Sequence, residues 1–372
     1  SGVSGVLGEF IKKEILPLYT FKNGNATDHF DYAVFSDWGE CANCGGSFLL
    51  YDAIIDTKNP CILSEYPCPH CGAIIKSESA KKSFETVFDP WINDTTRLAK
   101  TSMVLISKKV GNRAIRTKPT ELDVRNYEEV GSRVVSLVPA KLEYTHMTHE
   151  RNNLPEYWGI THIHHFYTRR NYYSLARIAG IKDAQLRRAA LFCALTIVEN
   201  NATRRNRFYI DKRRPNGSPI GPLSNTLYVP TLQTETNIGR KMLQVLESLQ
   251  KVHSSWPKTR AIVSNQSATN LAQIPDASID FIFTDPPFGG SINYSEQNIL
   301  YEWWLGIKTN NQAEAITNSV QKKKIQEYTH LMTLVFSEYT RVLKPGRYIV
   351  VEFHNSSNTV WHAIQHALEK SG

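Results

Sequence analysis

The rhythm of apolar and polar positions changes near Trp158. Before it, the pattern is short and broken: it predicts a helix over residues 9–15, ended by Pro17, because proline cannot continue a helical ladder. Residues 81–155 are polar and irregular, with β-like runs at 103–106 and 134–138. After Trp158, apolar residues recur at helical spacing over 171–179 and 183–201. A loop rich in Arg, Gly and Pro follows at 204–222, then a helix at 235–252. From there short apolar strands (260–263, 279–283, 348–353) alternate with helices (296–304, 323–343, 360–369). Such alternation predicts an α/β fold, a parallel sheet with helices on both faces. Leu343-Lys344-Pro345-Gly346 reads as a tight helix-to-strand turn.

Length and composition narrow this picture. At 372 residues there is room for two or three domains. With 41% hydrophobic and 21% charged residues, a disordered chain is excluded. No run of about 18 apolar residues exists, and no basic-then-apolar leader opens the chain. A cytoplasmic protein without a membrane partner is therefore expected. The chain opens on Ser1-Gly2 rather than Met, so a longer native polypeptide is expected. The net charge of +8 favours a polyanionic partner.

Four of the six cysteines form two pairs, Cys41-Ala-Asn-Cys44 and Cys68-Pro-His-Cys71, each followed by glycine. Two such knuckles supply four thiolates to one tetrahedral ion, and a glycine lets the chain turn after the second ligand. A structural Zn2+ on Cys41, Cys44, Cys68 and Cys71 is expected, within a ribbon spanning residues 36–80. His70 reads as a neighbour of the site rather than a ligand. Cys61 and Cys193 have no partner spacing, and Cys193 reads as a core residue.

The most informative stretch runs from Ile279 through Asp285-Pro286-Pro287-Phe288-Gly289-Gly290. Two prolines stiffen the chain just after an apolar strand. That stiffness can aim the Asp285 carboxylate and the Pro286 carbonyl at one point, where both accept N–H bonds from an exocyclic amine. Phe288 is placed to stack on a planar base.

These residues resemble motif IV of the S-adenosylmethionine-dependent DNA amino-methyltransferases, which modify adenine N6 or cytosine N4. Residues 267–283 (SATNLAQIPDASIDFIF) resemble that family's lead-in, and residues 339–352 (YTRVLKPGRYIVVE) its helix, turn and fifth strand. Residues 292–305 (INYSEQNILYEWWL) and 164–171 (HHFYTRRN) are similar to a subgroup that carries a CxxC…CxxC insertion. The resemblance implies a Rossmann-like class I methyltransferase sheet with an inserted four-cysteine zinc ribbon. It implies an N-terminal segment (1–35) holding the remnant of a glycine-rich cofactor turn, an irregular insertion (81–155) for target recognition, and a methyltransferase core (156–372). Asp285, Pro286, Pro287 and Phe288 would be catalytic. Gly2, Gly5, Phe166, Thr168, Arg169, Asn171 and Asp285 would hold S-adenosylmethionine. The substrate would be a flipped base in double-stranded DNA, adenine preferred, within a restriction or phage-defence system and alongside its other subunits. The complete glycine-rich turn and the acidic strand end of the family are not found in the sequence. An inactive zinc-ribbon nucleic-acid-binding subunit, and a methyltransferase acting on RNA or a protein amide, stay open as alternatives.

Arg204, Arg205, Arg207, Lys212, Arg213 and Arg214 face only Asp211 within residues 201–214. They are expected to contact phosphate. His162, His164 and His165 read as structural strand positions, since no cysteine or carboxylate lies at ligand spacing. Trp303 and Trp304 read as core.

Overall fold

The computed structural model describes residues 2–372 except 24–25, 78–79, 111–112, 136, 144–154 and 256–259. The chain divides into two compact units. The first comprises Ser1–Leu142, Asn152–Trp256 and Leu300–Ile307; the second comprises Glu143–Arg151, Pro257–Ile299 and Lys308–Gly372.

The first unit is organised on an antiparallel sheet of β1 (Tyr32–Glu40), β2 (Thr101–Val110), β3 (Arg113–Thr117) and β4 (Leu232–Thr236), in the order β3-β2-β1-β4. A register shift between Met103 and Leu105 marks a bulge, which bends a strand and increases its twist. Strand β1 is central and buried from Ala33 to Asp37. Its far end pairs with Ser47–Leu49 and Lys81–Lys82, which leads the sheet directly into the ribbon. The unit also contains α1 (Gly2–Phe10), α2 (Glu121–Gly131), α3 (Arg169–Ala179), α4 (Ala184–Ile197) and α5 (Ile238–Ser255). Side chains set three of the helix starts. Thr120 and Asp123 form a capping box at α2, Thr168 caps α3, and Asp183 caps α4.

Strand β4 departs from ordinary patterning. Gln233, Thr234 and Glu235 are polar yet fully buried. Two of them are tolerated because partners are in place: Glu235 takes Arg170 and the Thr168 hydroxyl, while Gln233 joins Arg204 to Asp37. A buried charge without such partners is strongly unfavourable.

The second unit contains one parallel strand pair, β5 (Ile279–Thr284) and β6 (Leu343–Val351), with α6 (Ile325–Val342) and α7 (Asn358–Ser371). Tyr328, Met332, Phe336, Val360 and Ile364 form its core, and Ile349 and Val351 pack on it. The alternate residues Phe281, Phe283, Tyr348 and Val350 point away and are exposed. Between Ile279 and Phe281 the register slips, because the expected turn at residues 343–346 bulges out of β6.

The fold is thus mixed α/β, with several differences from the expectation. Among the described residues the parallel sheet is two strands, and its helices cover one face. Residues 260–263 form no strand; Ile262 and Val263 are almost fully exposed, so nothing pairs with or packs on them. The run at 134–138 is likewise not a strand in its described residues: Val134 and Val138 are exposed. The loop at 204–222 contains a hairpin, Phe208–Asp211 with Arg214–Pro219. The first helix starts at Gly2 and continues as a wider turn through Ile15. The helix at 235–252 starts at Ile238, because β4 takes the residues before it. No helix among the described residues is long and apolar enough to cross a membrane.

Candidate functional site

Two hairpins build the four-cysteine cluster. Strand β1 runs into the first knuckle and Ser47–Leu49 leaves it; Glu65–Pro67 and Ile74–Lys76 flank the second. The knuckles share one hydrogen-bond pattern. Gly45 N–H donates to Cys41 O and Cys41 N–H to Gly46 O; Gly72 N–H donates to Cys68 O and Cys68 N–H to Ala73 O. Gly45 and Gly72 have φ of 70° and 74°, a region that suits glycine and few other residues. The Cys41–Cys71 and Cys44–Cys68 sulfurs are each 3.8 Å apart, and all four lie within 4.8 Å of one another. A tetrahedron with Zn–S of about 2.3 Å has edges of about 3.8 Å, which these two pairs match, so the four cysteines could bind a zinc ion. The Asn43 side-chain amide, then the Ala73 N–H, lower the Cys71 thiol to about 6, while Cys44 moves the other way, to about 12, because the Gly46 N–H is outweighed by the sulfurs beside it. His70 sends Nε2 to Ser47 O at 3.0 Å, so it buttresses the neighbouring strand. Cys193 is buried in α4, and burial raises its thiol pKa.

The Asp-Pro-Pro-Phe loop follows β5 in the second unit. Two of its carbonyls are fixed from outside: Tyr328 donates to Pro287 O at 2.5 Å, and Asn355 Nδ2 to Phe288 O at 2.8 Å. Phe288 packs edge-on against Phe353 at 5.4 Å, and Phe353 against Trp361 at 5.0 Å. Gly289 has φ of 62°, and a Cβ there would meet Val360 at 2.9 Å. The loop is therefore held from below and behind. Among the described residues nothing donates to the Asp285 carboxylate or to Pro286 O, and Asp285 is exposed. A carboxylate and a neighbouring carbonyl at a strand end can in principle accept the two N–H bonds of one amine.

The positions expected to hold S-adenosylmethionine are scattered or already engaged within the first unit, apart from Asp285. Gly2 and Gly5 lie on α1, and a Cβ at either would meet nothing within 4 Å. Phe166 and Asn171 are fully buried. Asn171 accepts from Tyr19 at 2.7 Å and donates to Ala202 O at 2.8 Å, and the Thr168 hydroxyl goes to Glu235 at 2.5 Å. Thr168 and Arg169 border a cavity of about 270 Å3 in the first unit. Asp285 belongs to the second unit.

Of the six basic residues expected to meet phosphate, three are engaged inside the first unit. Arg204 donates to Gln233 and to His165 O, Arg205 pairs with Glu199, and Arg207 donates to Gly221 O. Arg214 pairs with Asp211 across the hairpin turn. Lys212 and Arg213 stand exposed at its tip. Trp304 is buried and donates to the Tyr167 hydroxyl at 3.0 Å, so it is core as expected.

A cluster that spacing did not reveal joins Asp89 to His164 and His165. The histidines lie on a 3-10 turn, Ile163–Phe166, rather than on a strand. Asp89 supplies the carboxylate thought to be lacking, from 75 positions away. Its Oδ2 is 2.5 Å from His164 Nε2 and 3.2 Å from His165 Nε2. Donor atoms this close can in principle hold a metal. His165 Nδ1, however, accepts N–H bonds from Thr161 and His162. Its proton therefore sits on Nε2 and points at Asp89, which makes the trio a hydrogen-bonded strut. Burial lowers the His165 pKa to about 4. Burial pushes the Asp89 carboxyl up, but the bonds from the two histidines outweigh it and hold it well below the usual range.

This arrangement gives a pH signature. An unfolded histidine titrates near about 6.5, above the folded value of about 4. The unfolded chain binds the extra proton, so stability is complete above about pH 6.5 and declines as pH falls toward 4. The loss is expected to be on the order of 2–3 kcal/mol. Denaturant midpoints of zinc-loaded parent and His165→Gln across this window check it. The variant should show a flatter dependence, and equal slopes would contradict the strut.

Comparison of the chain with protein-family models, curated proteins and solved structures gives no match in any of the three.

Proposed function

We propose that the chain is a DNA amino-methyltransferase, transferring a methyl group from S-adenosylmethionine to adenine N6, with cytosine N4 as the lesser target. In this reading β5 and β6 are two strands of a Rossmann-like parallel sheet, and the four-cysteine cluster is its structural zinc ribbon. One observation carries the proposal: a braced Asp-Pro-Pro-Phe loop at the end of a parallel strand leaves the Asp285 carboxylate and Pro286 carbonyl without donors among the described residues.

The residues' part follows from that geometry. A base inside a duplex must first be flipped out, at a cost of a few kcal/mol. Phe288 offers the flipped ring a stacking face, worth about 1–3 kcal/mol. Asp285 and Pro286 O then accept the two amine N–H bonds, which turns the nitrogen lone pair out of conjugation and toward the donor. As the nitrogen gains positive character, the Asp285 carboxylate stabilises it more strongly than in the ground state, which is where rate is gained. S-adenosylmethionine would supply an electrophilic methyl, its C–S bond breaking to leave a neutral thioether, and the methylated amine would release one proton to solvent. The first-unit positions expected to bind it are scattered or already engaged.

That last observation favours a second reading, a zinc-stabilised nucleic-acid-binding subunit without activity. Calorimetric titration with S-adenosylmethionine separates the two: saturable binding supports the enzyme, and its lack supports the binding subunit. Labelled-methyl transfer offered DNA, RNA and protein in parallel tests the remaining alternative substrates.

A further inference from the structure

The first unit contains a groove of about 580 Å3 whose charge is strongly one-sided. Lys109, Arg116, Arg240 and Lys241 line it, and Asp31 is its single acid among the described residues. These cations come from the end of β2, from β3 and from the first turn of α5, so the run at 204–214 gives no hint of them. Asp31 is already engaged: it pairs with Arg240 and accepts the Lys109 backbone N–H. Arg116 is set in place by the Tyr32 hydroxyl at 3.3 Å and Gly217 O at 2.8 Å. Gly217 lies on the hairpin whose tip carries Lys212 and Arg213. Asn200, Asn201 and Gln244 add amide donors along the wall. An interface for another protein is built around apolar and aromatic anchors, whereas half-buried Tyr32 is the one aromatic ring lining this groove.

We propose that this groove binds the phosphodiester backbone of a nucleic acid. Four cations with one internally paired acid match a line of phosphates, and the amides suit phosphate and sugar oxygens. The inference rests on the charges of the first unit and does not require methyl transfer or the Asp285 loop.

The test uses the zinc-loaded full chain without any methyl donor. Anisotropy of a labelled DNA duplex is measured over a salt series for the parent, Lys109→Gln/Lys241→Gln, and Lys12→Gln/Lys58→Gln. The last pair removes the same charge at exposed positions outside the groove. The groove pair is expected to weaken binding on the order of 10-fold or more near about 0.1 M salt, and to reduce the salt slope by roughly 0.9 per lost contact. The outside pair should change both much less. Circular dichroism melts establish that all variants are folded. Equal losses in the two double variants, or no loss, would overturn the proposal. So would a groove pair that lost binding to phosphatidylserine vesicles while keeping its DNA affinity. Because no methyl donor is present, failure of the groove and failure of the catalytic reading are read separately.

Discussion

Stripping the metal from the four-cysteine centre is expected to unfold the ribbon and lower the melting temperature of the whole first unit. The ribbon has little else to hold it. Its hairpins are two or three residues long, and its apolar residues Phe48, Leu50, Ile54 and Tyr66 close around buried Cys41 and Cys68. Structural zinc contributes on the order of 10 kcal/mol in isolated fingers, far more than such hairpins supply. The loss should spread, because the same cluster includes Val34, Val104, Phe208 and Leu232 of the main sheet and its neighbours. Cys44→Ser removes one ligand and should behave like chelation. Metal analysis should give about one zinc per chain for the parent and much less for the variant. Hydrogen exchange should show protection lost across residues 36–80. A variant that kept its metal and melted like the parent would contradict the assignment.

Replacing Asp285 by alanine is expected to lower single-turnover methylation by at least ~100-fold, the scale of losing one well-placed charged hydrogen bond in the transition state. DNA affinity should change much less, because the carboxylate acts on the amine as it reacts. Phe288→Ala should differ. It removes the stacking face and also the edge contact to Phe353, so capture of the flipped base and turnover should both fall. Measuring binding and single-turnover rates for both variants separates the roles. Equal effects on affinity and rate for Asp285→Ala would remove its transition-state role.

What could be read from the sequence was local. The four-cysteine cluster was legible because two knuckles place four sulfurs by themselves, with Gly45 and Gly72 supplying the turns. The helices at α3 and α4 were legible from their apolar spacing. The remainder depended on distant partners. Gln233 and Glu235 look like surface residues until Arg170, Arg204 and Asp37 arrive to satisfy them. Arg204, Arg205 and Arg207 looked like a phosphate-binding run for the same reason: Gln233, Glu199 and Gly221 take them, and none of these is signalled by charge pattern. Asp89 lies 75 positions from His164, beyond any spacing rule. Ile262 and Val263 have the composition of a strand, but a strand needs a neighbour, and none pairs with them.

The most direct test offers the zinc-loaded chain labelled S-adenosylmethionine and duplex DNA, then digests the DNA to nucleosides. The account predicts label in N6-methyladenine with the parent and at least ~100-fold less with Asp285→Ala. No label in any nucleoside with the parent, or equal label with the variant, would contradict it.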